Sequence, residues 1–199
     1  MKVRHWMTAA LVALALPSLA AVKERQITLP DNLGSAVLYS AEGKKPGPAV
    51  IVVHEWWGLN DYARKRARQL AEKGYSAIAV DMYGHGKVAD HPKDANAFME
   101  AALAEPEKMN ARFNAARALL AAERNVDAAR IYAVGYCFGG AVVLNQARMG
   151  ADLAGVASFH GSLGTSTPAA ATTAALPPVW SWCSWVLSTW VILPCMMRK

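Results

Sequence analysis

The residues best suited to chemistry lie in the run Ile131-Tyr132-Ala133-Val134-Gly135-Tyr136-Cys137-Phe138-Gly139-Gly140. An apolar stretch with strand character leads into G-x-C-x-G, and a stretch compatible with a helix follows. A strand-to-helix elbow of this kind forces its central residue into strained backbone geometry, and small residues two positions away make room for it. Cys137 would be presented above a sheet at a helix N-terminus, where the helix dipole favours the thiolate, the nucleophilic form. Cys137 is therefore the candidate nucleophile, with Gly135 and Gly139 as elbow glycines. The competing reading is a buried structural cysteine beside a glycine-rich turn. A thiolate attacking a carbonyl also needs donors for the oxyanion that develops. The backbone N–H of Phe138 is one candidate. A second is expected from the loop after an earlier strand, and His54-Glu55-Trp56-Trp57-Gly58-Leu59-Asn60 follows the apolar run at 49–53 in the right place.

The elements that must position these residues are readable along the chain. Residues 24–29 and 35–39 alternate around Pro30-Asp31-Asn32 and read as two short strands. Ala49-Val50-Ile51-Val52-Val53 is a continuous apolar run, the pattern of a strand buried on both faces. A helix follows, capped by Asp61 and ended by Gly74. Residues 76–80 form another apolar strand, leading into Asp81-Met82-Tyr83-Gly84. Residues 93–123 carry helical periodicity interrupted at Pro106. A strand at 130–134, a helix at 139–148 and a strand at 153–159 complete the readable part. Strands alternating with helices predict an α/β fold: a mainly parallel, doubly wound sheet with helices on both faces. His54, Asp81, Gly135 and His160 then fall at or just past strand C-termini, the edge where open α/β sheets carry their sites.

Three segments in order carry a resemblance: Val53-His54-Glu55-Trp56-Trp57-Gly58-Leu59-Asn60, Ala79-Val80-Asp81-Met82-Tyr83, and Gly135-Tyr136-Cys137-Phe138-Gly139-Gly140. In spacing, from about residue 25 to 165, they resemble the dienelactone hydrolase family of the α/β-hydrolase superfamily. The resemblance implies hydrolysis of a lactone or carboxylic ester through an acyl-enzyme on Cys137. It implies that Glu55 interacts with the thiol and helps generate the thiolate, and that the N–H groups of Trp56 and Phe138 hold the oxyanion. A carboxylate can take a thiol's proton if burial raises its pKa; the competing reading for Glu55 is a solvated loop acid. The dienelactone enzyme also grips a substrate carboxylate with an arginine after its Asp-Leu-Tyr segment. Here Asp81-Met82-Tyr83 is followed by Gly84-His85-Gly86, which puts an anionic dienelactone substrate in doubt.

The last part of the chain departs from this pattern. The triad order of the fold is nucleophile, acid, histidine. After Cys137 the only acid is Asp152 and the only histidine is His160. Both come too early to match the family's positions, so no triad acid or histidine is identified. From Leu153 to Pro194 there is no Asp, Glu, Lys or Arg in a chain that is 18% charged, and Trp180, Trp182, Trp185 and Trp190 crowd together. The fold is therefore expected to lack its last strands and helices, with the hydrolase domain at 21–167 and an atypical apolar tail at 168–199. A shifted reading frame would produce such a tail. A membrane anchor is the alternative, but Pro177, Pro178 and Pro194 leave a helix short for a span. With no acid and histidine assigned, a non-catalytic truncated or tethered product stands as the second functional reading.

Composition bounds the remaining classes. The net charge of +6 is scattered through helical stretches, and no basic block interleaves with aromatics, so nucleic acid is not an expected partner. His54, His85 and His91 lack metal-ligand spacing, so neither metal nor cofactor is expected. Lys2 and Arg4, the uncharged run at 7–16 and Ser18-Leu19-Ala20 read as a signal peptide over 1–20, implying export, in a bacterium to the periplasm. That compartment oxidises thiols; Cys183 and Cys195 lie in the tail, so Cys137, the lone cysteine of the domain at 21–167, is expected to be either buried or reactive.

Overall fold

A computed structural model describes residues 21–41 and 45–164, together with the backbone of 179–182 and 194–195. The expectations for 1–20, and most of those for the tail, lie outside the described residues. The strands are β1 (Val22–Leu29), β2 (Gly34–Ala41), β3 (Gly47–Val53), β4 (Ser76–Val80), β5 (Val126–Tyr136), β6 (Gly155–Phe159), β7 (Val179–Trp182) and β8 (Pro194–Cys195). They form one sheet in the order β1-β2-β4-β3-β5-β6-β7-β8. The pairings from β4 through β3, β5 and β6 to β7 are parallel, and β1, β2 and β8 are antiparallel additions. The helices are α1 (Asp61–Glu72), α2 (Pro92–Leu103), α3 (Pro106–Ala121) and α4 (Phe138–Arg148). Among the described residues no helix follows α4, while the sheet continues past β6 into β7 and β8.

The strand alternation explains why both faces are covered. Ala49, Ile51 and Val53 point into one core with Phe113, Leu120 and Val143, while Val50 and Val52 point into the other with Ala63, Ala67 and Ala71. Successive side chains on a strand face opposite ways, so an unbroken apolar run serves two layers at once. The buried stripe of α1 is built of alanines four residues apart, which lets that helix lie close to the sheet. No described helix is long and apolar enough to cross a membrane.

Of the boundaries that differ from expectation, two show a structural cause. The cap of α1 is Asn60, whose side chain accepts from the Ala63 N–H; Asp61 is instead the first helical residue. Both types cap helices, and the choice fell to the residue whose backbone is extended, with φ −85° and ψ −178°. Strand β5 starts at Val126 rather than near 130, because its ladder with β3 jumps between Gly47 and Ala49 and carries the exposed 128–130 stretch as an irregularity. Pro106 opens α3, a position where its missing N–H costs nothing.

The cap assignment predicts unequal effects of two neighbouring substitutions. Asn60→Ala should cost about 1 kcal/mol, whereas Asp61→Ala, which loses only a favourable charge near the dipole, should cost about 0.5 kcal/mol. Urea unfolding of the two variants measures both.

Candidate active site

Four parallel strands deliver their C-termini to one edge. His54 follows β3, Asp81 follows β4, Cys137 follows β5 and His160 follows β6. Cys137 occupies the turn into α4 with φ 53° and ψ −115°, a left-handed value unusual for any residue with a side chain. Its N–H donates to Phe159 O at 2.9 Å and its carbonyl accepts from Ala141 N at 3.2 Å, so the strained residue is held from β6 and from α4. Its thiol is free and partly buried. The elbow glycines are required by close approach. A Cβ on Gly135 would lie 2.0 Å from Gly139 O, and one on Gly139 would lie 2.4 Å from Val53 O. The first turn of α4 thus rests directly on the end of β3.

The loop after β3 is tethered peptide by peptide. Glu55 O accepts from Gly58 N at 3.3 Å, closing a turn around Trp56 and Trp57. His54 Nδ1 lies 2.5 Å from the same Glu55 O. The Tyr83 hydroxyl donates to Trp56 O at 2.9 Å, and Ala89 N donates to Trp57 O at 2.9 Å. The Glu55 side chain points elsewhere: its Oε1 is 3.6 Å from His160 Nε2, with side-chain exposures of 24% and 43% respectively. The Glu55 carboxylate therefore has a cationic neighbour whenever His160 is protonated.

The loop after β4 is the third part. Asp81 is fully buried and accepts from the N–H groups of Tyr83, Gly84 and Gly86. Arg112, reaching from α3 and also buried, donates to Leu33 O at 2.7 Å and Met82 O at 2.8 Å. Burial lowers the pKa of Arg112, and Asp81 and then Glu105 oppose that shift. Tyr83 is raised, first by burial and then by the nearby Cys137 and Asp81, so its hydroxyl keeps its proton and remains a donor. His54 is fully buried between Tyr83 and Phe138, with ring centroids 4.8 Å and 5.9 Å away. Its Nε2 accepts from Met82 N at 3.1 Å. Burial holds the His54 pKa below the ordinary value, against the opposing pull of Glu55 O and Asp81.

The structure brings the segments carrying Cys137, Phe138, Glu55 and Trp56 to the same edge. Asp152 is remote from this group, as its carboxylate pairs with Arg117. His91 caps α2, accepting from Lys93 N. Among the described residues no three His, Cys, Asp or Glu side chains gather as a metal site would need. Sequence reasoning missed the partnership of His160 with Glu55 and the roles of His54 and Tyr83 in shaping the loop. His54 had no ligand-like spacing to mark it, because its partners lie 28 residues away in Met82 and on the adjacent peptide.

A mainly parallel sheet with a strained residue at a strand-to-helix elbow defines the α/β-hydrolase class. Residues 35–182 match the Dienelactone hydrolase family, and the chain belongs to that family. Protein usf of Aquifex pyrophilus is 34% identical over 119 residues, 58% of this chain and 51% of that protein. The solved structure m3DLH is 38% identical, with a TM-score of 0.69 over 74% of this chain and 63% of its own. A dienelactone hydrolase-like promiscuous phosphotriesterase from metagenomic libraries is 35% identical, with a TM-score of 0.67 over 74% of this chain and 62% of its own. The chain thus spans about half to two thirds of the length of these relatives.

Two outcomes follow from this geometry. Gly139→Ala drives a methyl group into the backbone of β3 and should destabilise the fold by about 3 kcal/mol, measurable by urea unfolding. The second concerns acid. Unfolded, His54 titrates near 6.5; folded, its pKa is lower, so below about pH 6.5 the unfolded chain takes up a proton that the folded chain refuses. The stability present above that pH should fall on acidification by up to about 1.4 kcal/mol per pH unit, until the folded pKa is passed. Unfolding free energies at pH 7.5 and 5.5 should show a smaller drop in His54→Asn than in the parent.

Proposed function

We propose that this protein hydrolyses a lactone or carboxylic ester through a cysteine nucleophile. The observation that carries the proposal is the free thiol of Cys137 at φ 53°, at the N-terminus of α4 and at the carboxyl edge of the parallel strands. That position gives the thiolate the favourable end of the helix dipole. In the proposed reaction Cys137 Sγ attacks the carbonyl carbon and its proton passes to Glu55. The oxyanion is held by the N–H groups of Trp56 and Phe138. Collapse of the tetrahedral intermediate breaks the bond to the leaving oxygen, which takes up the proton, and leaves a thioester. Water then cleaves the thioester to acid and free thiol. His160, beside Glu55, would hold the carboxylate at the edge before substrate arrives.

The two halves of this reaction make different demands. Acylation needs a nucleophile and oxyanion donors, whereas deacylation needs a base that activates water. No triad acid or histidine is assigned in this chain, so the first half should outrun the second. Export to an oxidising compartment, implied by the expected signal at 1–20, is part of the same proposal, and fractionation of the expressing cell tests it.

Stopped-flow mixing with a nitrophenyl ester tests the chemistry. The expected result is a burst of about one product per protein that is absent in Cys137→Ala, followed by slow turnover. Absence of a Cys137-dependent burst would favour a non-catalytic protein. Fast steady turnover that vanishes in Cys137→Ala would show that a base is present, and His160→Gln would then be the variant to examine.

A further inference from the structure

We infer that His54 and Tyr83 are positioning residues that aim the Trp56 N–H at the reacting carbonyl oxygen. This inference rests on the proposed thiol mechanism and extends it to the groups behind the oxyanion donor. The Trp56 N–H belongs to the peptide whose carbonyl is Glu55 O. Whatever grips Glu55 O therefore sets the direction of that N–H, because the peptide is planar. His54 Nδ1 grips it at 2.5 Å, closer than Gly58 N at 3.3 Å. The next peptide carries Trp56 O, which the Tyr83 hydroxyl holds at 2.9 Å. The residue bearing the proposed donor is thus pinned on both sides by side chains from its own strand end and from the loop after β4.

The state of His54 follows from its partners. Met82 N–H donates to Nε2, so that nitrogen has a free lone pair. The ring proton must then sit on Nδ1, where it donates to Glu55 O. A protonated ring would set a second N–H against the Met82 N–H. Burial between Tyr83 and Phe138 excludes the water that could solvate such a cation. The neutral tautomer that holds the peptide is the one that burial selects. Met82 is in turn fixed through its own carbonyl by Arg112, and the loop bearing it is wrapped around Asp81. The aim of the donor is carried from α3 through the loop after β4 to the loop after β3.

The test compares variants of the full chain by two rates at the same thiol. Acylation by a nitrophenyl ester passes through an oxyanion; alkylation by iodoacetamide does not. His54→Asn places an amide nitrogen near the position of Nδ1 and keeps a donor for Glu55 O. His54→Gln places its amide near Nε2 and does not. Burst acylation is expected to fall about 30-fold in His54→Gln and about 10-fold in Tyr83→Phe, part of what a lost oxyanion donor costs. His54→Asn should stay within about threefold of the parent, with alkylation of all three variants unchanged. Parental acylation in His54→Gln and Tyr83→Phe, or parallel losses of acylation and alkylation, would overturn the inference. If neither His54 variant folds, Tyr83→Phe, which loses only a hydroxyl, decides it by the same two rates. Lack of any Cys137-dependent burst in the parent would overturn the thiol mechanism itself, and this inference with it; a parental burst that persists undiminished in the variants would overturn only the inference.

Discussion

The arrangement at the sheet edge depends on how closely the first turn of α4 lies against the end of β3. A Cβ on Gly139 would stand 2.4 Å from Val53 O and 2.5 Å from His54 O, and one on Gly135 would meet the backbone of Gly139 itself. Only hydrogen can occupy those positions. The contact brings the helix N-terminus, with Cys137 and Phe138, against the strand end from which His54, Glu55 and Trp56 emerge. It also explains the strain at Cys137. The chain must reverse from strand to helix within one residue to keep that contact, and a φ of 53° is the conformation that does so. Bonds from Cys137 N to Phe159 O and from Ala141 N to Cys137 O keep it there.

Around this contact the site is built from backbone more than from side chains. The proposed oxyanion donors are peptide N–H groups, and the residues that hold the adjacent loops act on peptide carbonyls. His54 reaches Glu55 O, Tyr83 reaches Trp56 O, and Arg112 reaches Leu33 O and Met82 O. Asp81 accepts three backbone N–H groups. Buried polar side chains are costly unless satisfied, and the bonds that satisfy His54, Asp81 and Arg112 each fix a loop. His54 and Arg112 each join segments far apart in the chain, whereas Asp81 gathers the N–H groups of its own loop.

Glu55 shows how a shared edge can give one side chain two prospects. Its carboxylate lies beside His160, from the end of β6. The resemblance that drew attention to Glu55 concerns the thiol of Cys137, on the neighbouring strand β5. β6 lies next to β5 in parallel register, with Phe159 opposite Tyr136. The residues that follow these two strands, His160 and Cys137, therefore emerge side by side.

Much of the scaffold was legible in the sequence because its signals are local. The apolar runs at 49–53 and 76–80, Gly74 after α1, Pro106 at the head of α3 and the G-x-C-x-G spacing each report on backbone within a few residues. The parallel sheet, its order of elements and the elbow follow from them. What the sequence could not determine depends on pairs far apart in the chain. Asn60 and Asp61 are equally good caps by type, and the backbone geometry of the folded loop chose Asn60. The start of β5 depended on a ladder with β3 roughly eighty residues earlier. His54 lies in a segment that carried the resemblance, but its own role left no local sign, because a histidine that holds a peptide is recognisable only once Met82, Tyr83 and Phe138 have closed around it. His160 likewise gained a partner only when the sheet set the end of β6 near Glu55. Local propensity determined the elements and the elbow, whereas the register of the parallel strands decided which buried groups meet, since neighbours across a sheet leave no periodic trace in either strand alone.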